Sequence, residues 1–174
     1  MQEILDKKRV YSSPWINIEK VDLKLPSGKI IEHNLVDANN NSVAAVVKKD
    51  NKLLLIKNFR FASNESKWEI PGGWMESGET AQDAVIRKVE HETGYEVQKI
   101  ERLGEGKPWV GISNKDHYYF LVDIANKLDK RDQDFVENTR LFSFNKIEGM
   151  IKKGDITDQS TITGLYLAKL HKDL

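Results

Sequence analysis

The run Gly73 to Tyr95, GWMESGETAQDAVIRKVEHETGY, decides how this chain is read. Gly73 is followed after five residues by Glu79, after seven more by Arg87, and then by Val89, Glu92, Gly94 and Tyr95. Thr80-Ala-Gln-Asp83 has the form of a helix capping box, and Gly94 stands where a left-handed residue ends a helix. At about 100° per residue, Ala81, Ala84 and Val85 share roughly one third of the circumference. Carried forward, that stripe reaches Lys88, His91 and Glu92, so the inward face turns from small and apolar to ionisable. Buried charge without a partner is rare, and three such groups on one inward face point to a cleft.

The flanks read as strands. Residues 9–37 read as an antiparallel hairpin about a Pro26-Ser27-Gly28 turn, with apolar residues alternating at Ile16 and Ile18 and again at Val21, Leu23 and Leu25. Val43–Val47 and Leu53–Phe59 make a second, more buried hairpin around Lys49-Asp-Asn-Lys52. Pro71-Gly72-Gly73 interrupts the chain before the helix. Beyond it, Val97–Leu103, Tyr118–Ile124 and Arg140–Phe144 read as strands. Ile147–Ile151 opens a short helix, and Thr161–Leu170 is a closing one. Strands and helices are both present, which gives an α/β (α+β) class.

A length of 174 residues suits one domain with a small appended sheet. Lys plus Arg and Asp plus Glu both number 27. This balance argues against nucleic-acid or membrane-surface partners. The absence of cysteine excludes disulfides and thiolate chemistry and fits a reducing cytoplasm. No apolar segment suggests a signal peptide or a membrane span.

The spacing of Gly73, Glu79, Arg87, Val89, Glu92, Gly94 and Tyr95 resembles the Nudix box, with Lys88 and His91 at two positions where that family carries Glu. Asn58-Phe59-Arg60-Phe61, Trp68-Glu69-Ile70-Pro71-Gly72-Gly73, Leu25-Pro26-Ser27-Gly28-Lys29 and the run Gly154 to Thr161 are similar to the ADP-ribose pyrophosphatase branch. Trp109-Val110-Gly111 stands where that branch often carries Ser-Pro-Gly. The resemblance implies a mixed β-sheet sandwiched between helices, with the box as loop-helix-loop. It implies an N-terminal region, 1–40, as an antiparallel sheet exchanged in a homodimer, and a Nudix domain over 41–174. The implied activity is hydrolysis of a small-molecule nucleotide, an NDP-sugar such as ADP-ribose, with Mg²⁺ or Mn²⁺ at a weakened site. A nucleotide- or protein-binding module without catalysis is the alternative.

Carried over residue by residue, the resemblance places metal ligands at Glu92, His91, Glu79 and the Gly73 carbonyl. It places Arg87 as the group that orients carboxylates, and Arg60, Glu69 and Lys88 near the substrate. Glu137 is the first choice for a late-loop general base, ahead of Asp132 and Asp134. Mg²⁺ wants several hard oxygen ligands, and an ammonium offers no lone pair. Lys88 either pairs with Glu92 four residues on or meets a substrate phosphate. His91 is either a polar cleft residue or a ligand better suited to Mn²⁺ or Zn²⁺ than to Mg²⁺. Trp15, Phe61, Trp68, Trp74 and Trp109 either fill the core or stack on a base.

Overall fold

A computed structural model describes residues 1–128 and 134–171. The chain divides into two units, Met1–Asn41 with Gly106–His117 and Ser42–Glu105 with Tyr118–Leu174.

In the first unit, β1 (Glu3–Ser12), β2 (Ile16–Lys24) and β3 (Ile30–Ala38) form an antiparallel three-stranded sheet. The β2–β3 pairing closes at Lys24 opposite Ile30, and Gly28 supplies the positive φ of 84° that the Pro-Ser-Gly turn needs. The strand β1 begins six residues before the expected position 9, across two register shifts, and is exposed along its whole length. Its alternation is masked by the charged run Asp6-Lys-Lys-Arg9. Residues 106–117 add a loop in which Ile112 O accepts from Val36 N at 2.6 Å.

The second unit is built on a mixed seven-stranded sheet. Its strands are β4 (Ser42–Lys49), β5 (Lys52–Arg60), β6 (Glu65–Glu69), β7 (Gly72–Trp74), β8 (Tyr95–Gly106), β9 (His117–Lys127) and β10 (Val136–Phe142). The order is β10-β5-β4-β9-β8, with β6 added to β5 and β7 to β4. The helices are α1 (Ala81–Thr93), α2 (Phe144–Lys153) and α3 (Gln159–His171).

Side-chain alternation explains the sandwich. Val43, Ala45, Val47, Leu54, Ile56, Phe120 and Val122 pack with Ala84, Val85 and Val89 of α1. Their neighbours Ala44, Val46, Leu53, Leu55, Tyr119 and Leu121 pack with Ile147, Met150, Leu165 and Ala168 of α2 and α3. A strand buried on both faces reads as a continuous apolar run, and SVAAVV is one. The short strands β6 and β7 were not expected from sequence: β6 is ESKWE and β7 is GGW, neither with a β-branched residue. Phe144, expected in the last strand, instead opens α2 behind the Ser143 N-cap. Among the described residues no helix is long and apolar enough to cross a membrane.

Candidate active site

The helix α1 begins and ends as its sequence dictates. Thr80 Oγ1 accepts from Asp83 N at 3.1 Å, and Gly94 takes the left-handed conformation, its N–H donating to Glu90 O. The buried residues are Ala84, Val85, Val89, Glu92 and Thr93. That face is rotated from the expected stripe, because Val89 and Thr93 pull it round. His91, one residue and about 100° from Glu92, is therefore exposed rather than inward. It lies beside Asp83, Arg87 and Glu90 on a groove closed by Leu128.

The inward side of α1 faces a sheet that changes character at the same level. Along β5, Leu54 and Ile56 point toward α1, and period two continues their row to Asn58 and Arg60. Glu69 pairs directly with Ile56 and so shares that face. Asn58 Nδ2 and the Arg60 guanidinium both donate to the buried Glu69 carboxylate, with Arg60 Nε at 3.1 Å from Oε2. Burial raises the pKa of Glu69, and the bonds from Arg60 and Asn58 only partly oppose it. Asn58 is a site residue that the sequence reading missed; a polar residue on the buried row of an apolar strand was the available signal.

The box turn sits beside this group. Gly73 pairs with Val43 and Gly72 with Ala44. A Cβ on Gly72 would stand 2.4 Å from Val43 O, so only glycine allows this approach. The Gly72 N–H donates at 2.9 Å to Glu92 Oε2. The other oxygen, Oε1, lies 3.8 Å from Lys88 Nζ. Glu92 is 9 % exposed, and burial pushes its pKa up to about 7 although Lys88 and the Gly72 N–H pull it down. The end of the Lys88 side chain covers Gly73: a Cβ there would be 3.0 Å from Lys88 Cε and 3.1 Å from Nζ. Gly73 itself has φ 151°, a conformation that side chains avoid.

Arg87 and Glu79 form a separate pair. Glu79 accepts from Arg87 Nε and Nη2, both at 2.7 Å, while Arg87 also reaches Trp74 O at 3.3 Å. The bond from Arg87 holds the Glu79 carboxyl below its ordinary range, and Glu79 in return raises the guanidinium.

Of the expected site residues, Arg60, Glu69, Gly73, Lys88 and Glu92 come together, with Glu79 and Arg87 paired alongside. Glu137 is exposed and accepts from Ser66 Oγ at 2.7 Å. Ser66 stands opposite Phe59, which the alternation assigns to the α2 and α3 side of the sheet. Asp134 is exposed, and Asp132 lies outside the described residues. Trp68 packs edge-on against Phe142 in the core at 5.0 Å, Trp74 is half-buried, and Trp15, Phe61 and Trp109 are exposed.

The donor set fits a divalent ion poorly. Glu92 accepts from the Gly72 N–H, Glu69 is held by Asn58 and Arg60, and Glu79 already has both oxygens on Arg87. The Lys88 ammonium lies between Gly73 and Glu92. Among the described residues no group of three or more His, Asp or Glu is arranged to hold a metal ion. Two unit charges about 4 Å apart at an effective dielectric near 20 interact by about 4 kcal/mol, and a dication facing an ammonium meets more than that as repulsion.

Comparison with known proteins gives the family and the fold. The model of the NUDIX domain family matches residues 38–163. A CMP-5'-(N-acetyl-N-hydroxy-3-aminopropyl)phosphonate hydrolase of Streptomyces rubellomurinus is 26 % identical over 90 % of this chain and 76 % of its own. An ADP-ribose pyrophosphatase of Bacillus subtilis is 22 % identical over 99 % of this chain and 95 % of its own. Among solved structures, that of an ADP compounds hydrolase matches with a TM-score of 0.86 at 16 % identity, covering 98 % of this chain and 93 % of the other.

Proposed function

Since this chain belongs to the Nudix family, we propose that it hydrolyses a nucleoside diphosphate linked to another group and makes little use of a divalent ion. ADP-ribose is the leading substrate, with AMP and ribose 5-phosphate as products. The relatives' names support the class: each acts on a nucleotide, two of them on ADP-ribose or ADP compounds and one on a CMP-linked phosphonate.

The observation that carries this reading is the Glu92 carboxyl, buried beside the Lys88 ammonium and poised near neutral pH. A general base works best when its pKa lies near the operating pH. In the proposed step, a water oxygen bonds to one phosphorus of the anhydride and the bridging P–O bond breaks. The water's proton passes to Glu92, and the departing phosphate takes the bond's electron pair. Lys88 and Arg60 offset the negative charge on the phosphoryl oxygens. Asn58 and Arg60 hold Glu69, to which we assign the ribose hydroxyls. Arg87 and Glu79 brace the box turn. The N-terminal region, 1–40, is proposed as a sheet whose residues 10–37 are exchanged between two copies of a homodimer, beside a Nudix domain over 41–174.

The test is a panel of nucleoside diphosphate esters led by ADP-ribose, with products identified by phosphorus NMR. Release of AMP and ribose 5-phosphate, lost in Glu92→Gln and kept in Glu137→Gln, is expected. Loss in Glu137→Gln alone would move the base to that strand. A second reading, a module that binds a nucleotide or a protein partner without catalysis, is favoured by the absence, among the described residues, of a metal-ligand cluster. Binding without turnover by any member of the panel would select it.

A further inference from the structure

We propose that the Lys88 ammonium is the resident cation of this cleft, standing in the place of a divalent ion and receiving the diphosphate directly. The inference rests on the diphosphate-ester reading above, and it is separable from catalysis.

Three observations carry it. The lysine end lies over Gly73, its Cε 3.0 Å and its Nζ 3.1 Å from where a Cβ would stand, so the bare glycine lets it approach the box turn closely. The ammonium is 3.8 Å from a buried carboxylate oxygen whose partner oxygen is engaged by the Gly72 N–H, leaving Lys88 as the cation that faces Oε1. The side chain is still 24 % exposed, enough for its remaining N–H groups to reach a ligand. An ammonium carries three donors on one carbon stem, so one N–H can face Glu92 while others meet phosphoryl oxygens.

Arg60 completes the subsite. Its guanidinium is bonded to Glu69 yet 57 % exposed, and its charge is felt at Glu92 together with that of Lys88. Each of the two cations already faces a carboxylate, Lys88 with Glu92 and Arg60 with Glu69, so a phosphate is met by the N–H groups these pairs leave over. A dication entering the same space would have to displace the ammonium, and among the described residues no group of three or more His, Asp or Glu is arranged to hold it. Divalent binding and the present lysine are therefore mutually exclusive, and the exchange of Glu for Lys becomes a change of cation rather than a loss.

The test uses two probes on the full chain. Mn²⁺ alone is titrated by electron paramagnetic resonance against wild type, Lys88→Glu and Lys88→Glu with Glu92→Gln. Inorganic pyrophosphate is titrated by calorimetry in excess EDTA against wild type, Lys88→Gln and Lys88→Arg, each first shown to melt cooperatively. Wild type is expected to leave Mn²⁺ free, Lys88→Glu to gain binding of at least about tenfold, and Glu92→Gln to remove that gain. Pyrophosphate should bind without any ion, about tenfold more weakly in Lys88→Gln and near wild type in Lys88→Arg.

Mn²⁺ held by wild type through Glu92 would overturn the inference. So would no gain in Lys88→Glu, or pyrophosphate binding that requires Mg²⁺. Pyrophosphate binding in EDTA without turnover of any ester would leave the inference standing while removing the hydrolase reading.

Discussion

Two carboxylates on the box, Glu79 and Glu92, face neighbouring cations, Arg87 and Lys88, and end in opposite electrostatic states. Glu79 meets a planar guanidinium with two 2.7 Å bonds, and its pKa falls. Glu92 meets a point charge at 3.8 Å and one backbone N–H inside the protein, and its pKa rises to about 7. Burial outweighs attraction when the pairing is one-sided. The first pair is a brace, and the second holds the carboxyl that takes the water's proton in the proposed step.

The comparison breaks first at the strand contact that supplies Glu92 its N–H. Gly72→Ala would drive a Cβ into Val43 O, and a loss of about 3 kcal/mol or more is expected in urea unfolding. An unchanged midpoint would show that β7 is not held as described.

Next comes the raised carboxyl itself. Glu92 binds its proton more tightly folded than unfolded, so the folded state carries the extra proton between pH 4.5 and about 7. Stability therefore falls as pH rises through that window. Glu92→Gln keeps the acceptor without the titration. It should be more stable than wild type by about 2–3 kcal/mol at pH 8 and by under about 1 kcal/mol at pH 5. Equal stability at both values would remove the raised pKa.

The brace should behave differently. Arg87→Ala is expected to cost about 1 kcal/mol, discounted because the guanidinium is one-third exposed. In a double-mutant cycle with Glu79→Ala the coupling should be flat from pH 6 to 8, whereas the Lys88–Glu92 coupling should grow across that range. Smallest of all, His91→Ala on the exposed side should shift stability by less than about 0.5 kcal/mol and leave ester cleavage unchanged.

Much of this arrangement was legible in the chain. Thr80, Asp83 and Gly94 mark both ends of α1 because capping is local chemistry. The buried hairpin of β4 and β5 follows from its apolar runs, and the position of Lys88 beside Glu92 follows from a spacing of four. What escaped depends on tertiary packing. Three alanine and valine positions were too few to fix the helix rotation, so His91 was turned inward until Val89 and Thr93 are counted. The strand β6 has no intrinsic preference and exists because β5 offers it an edge. Asn58 becomes part of the site only once Glu69 is seen opposite Ile56.

The most direct measurement is the initial rate of ADP-ribose cleavage by wild type in excess EDTA, beside the rate in excess Mg²⁺. Equal rates within about threefold, both reduced at least tenfold in Lys88→Gln, are the expected result. A rate that EDTA abolishes and Mg²⁺ restores would mean that a divalent ion, and not Lys88, neutralises the diphosphate.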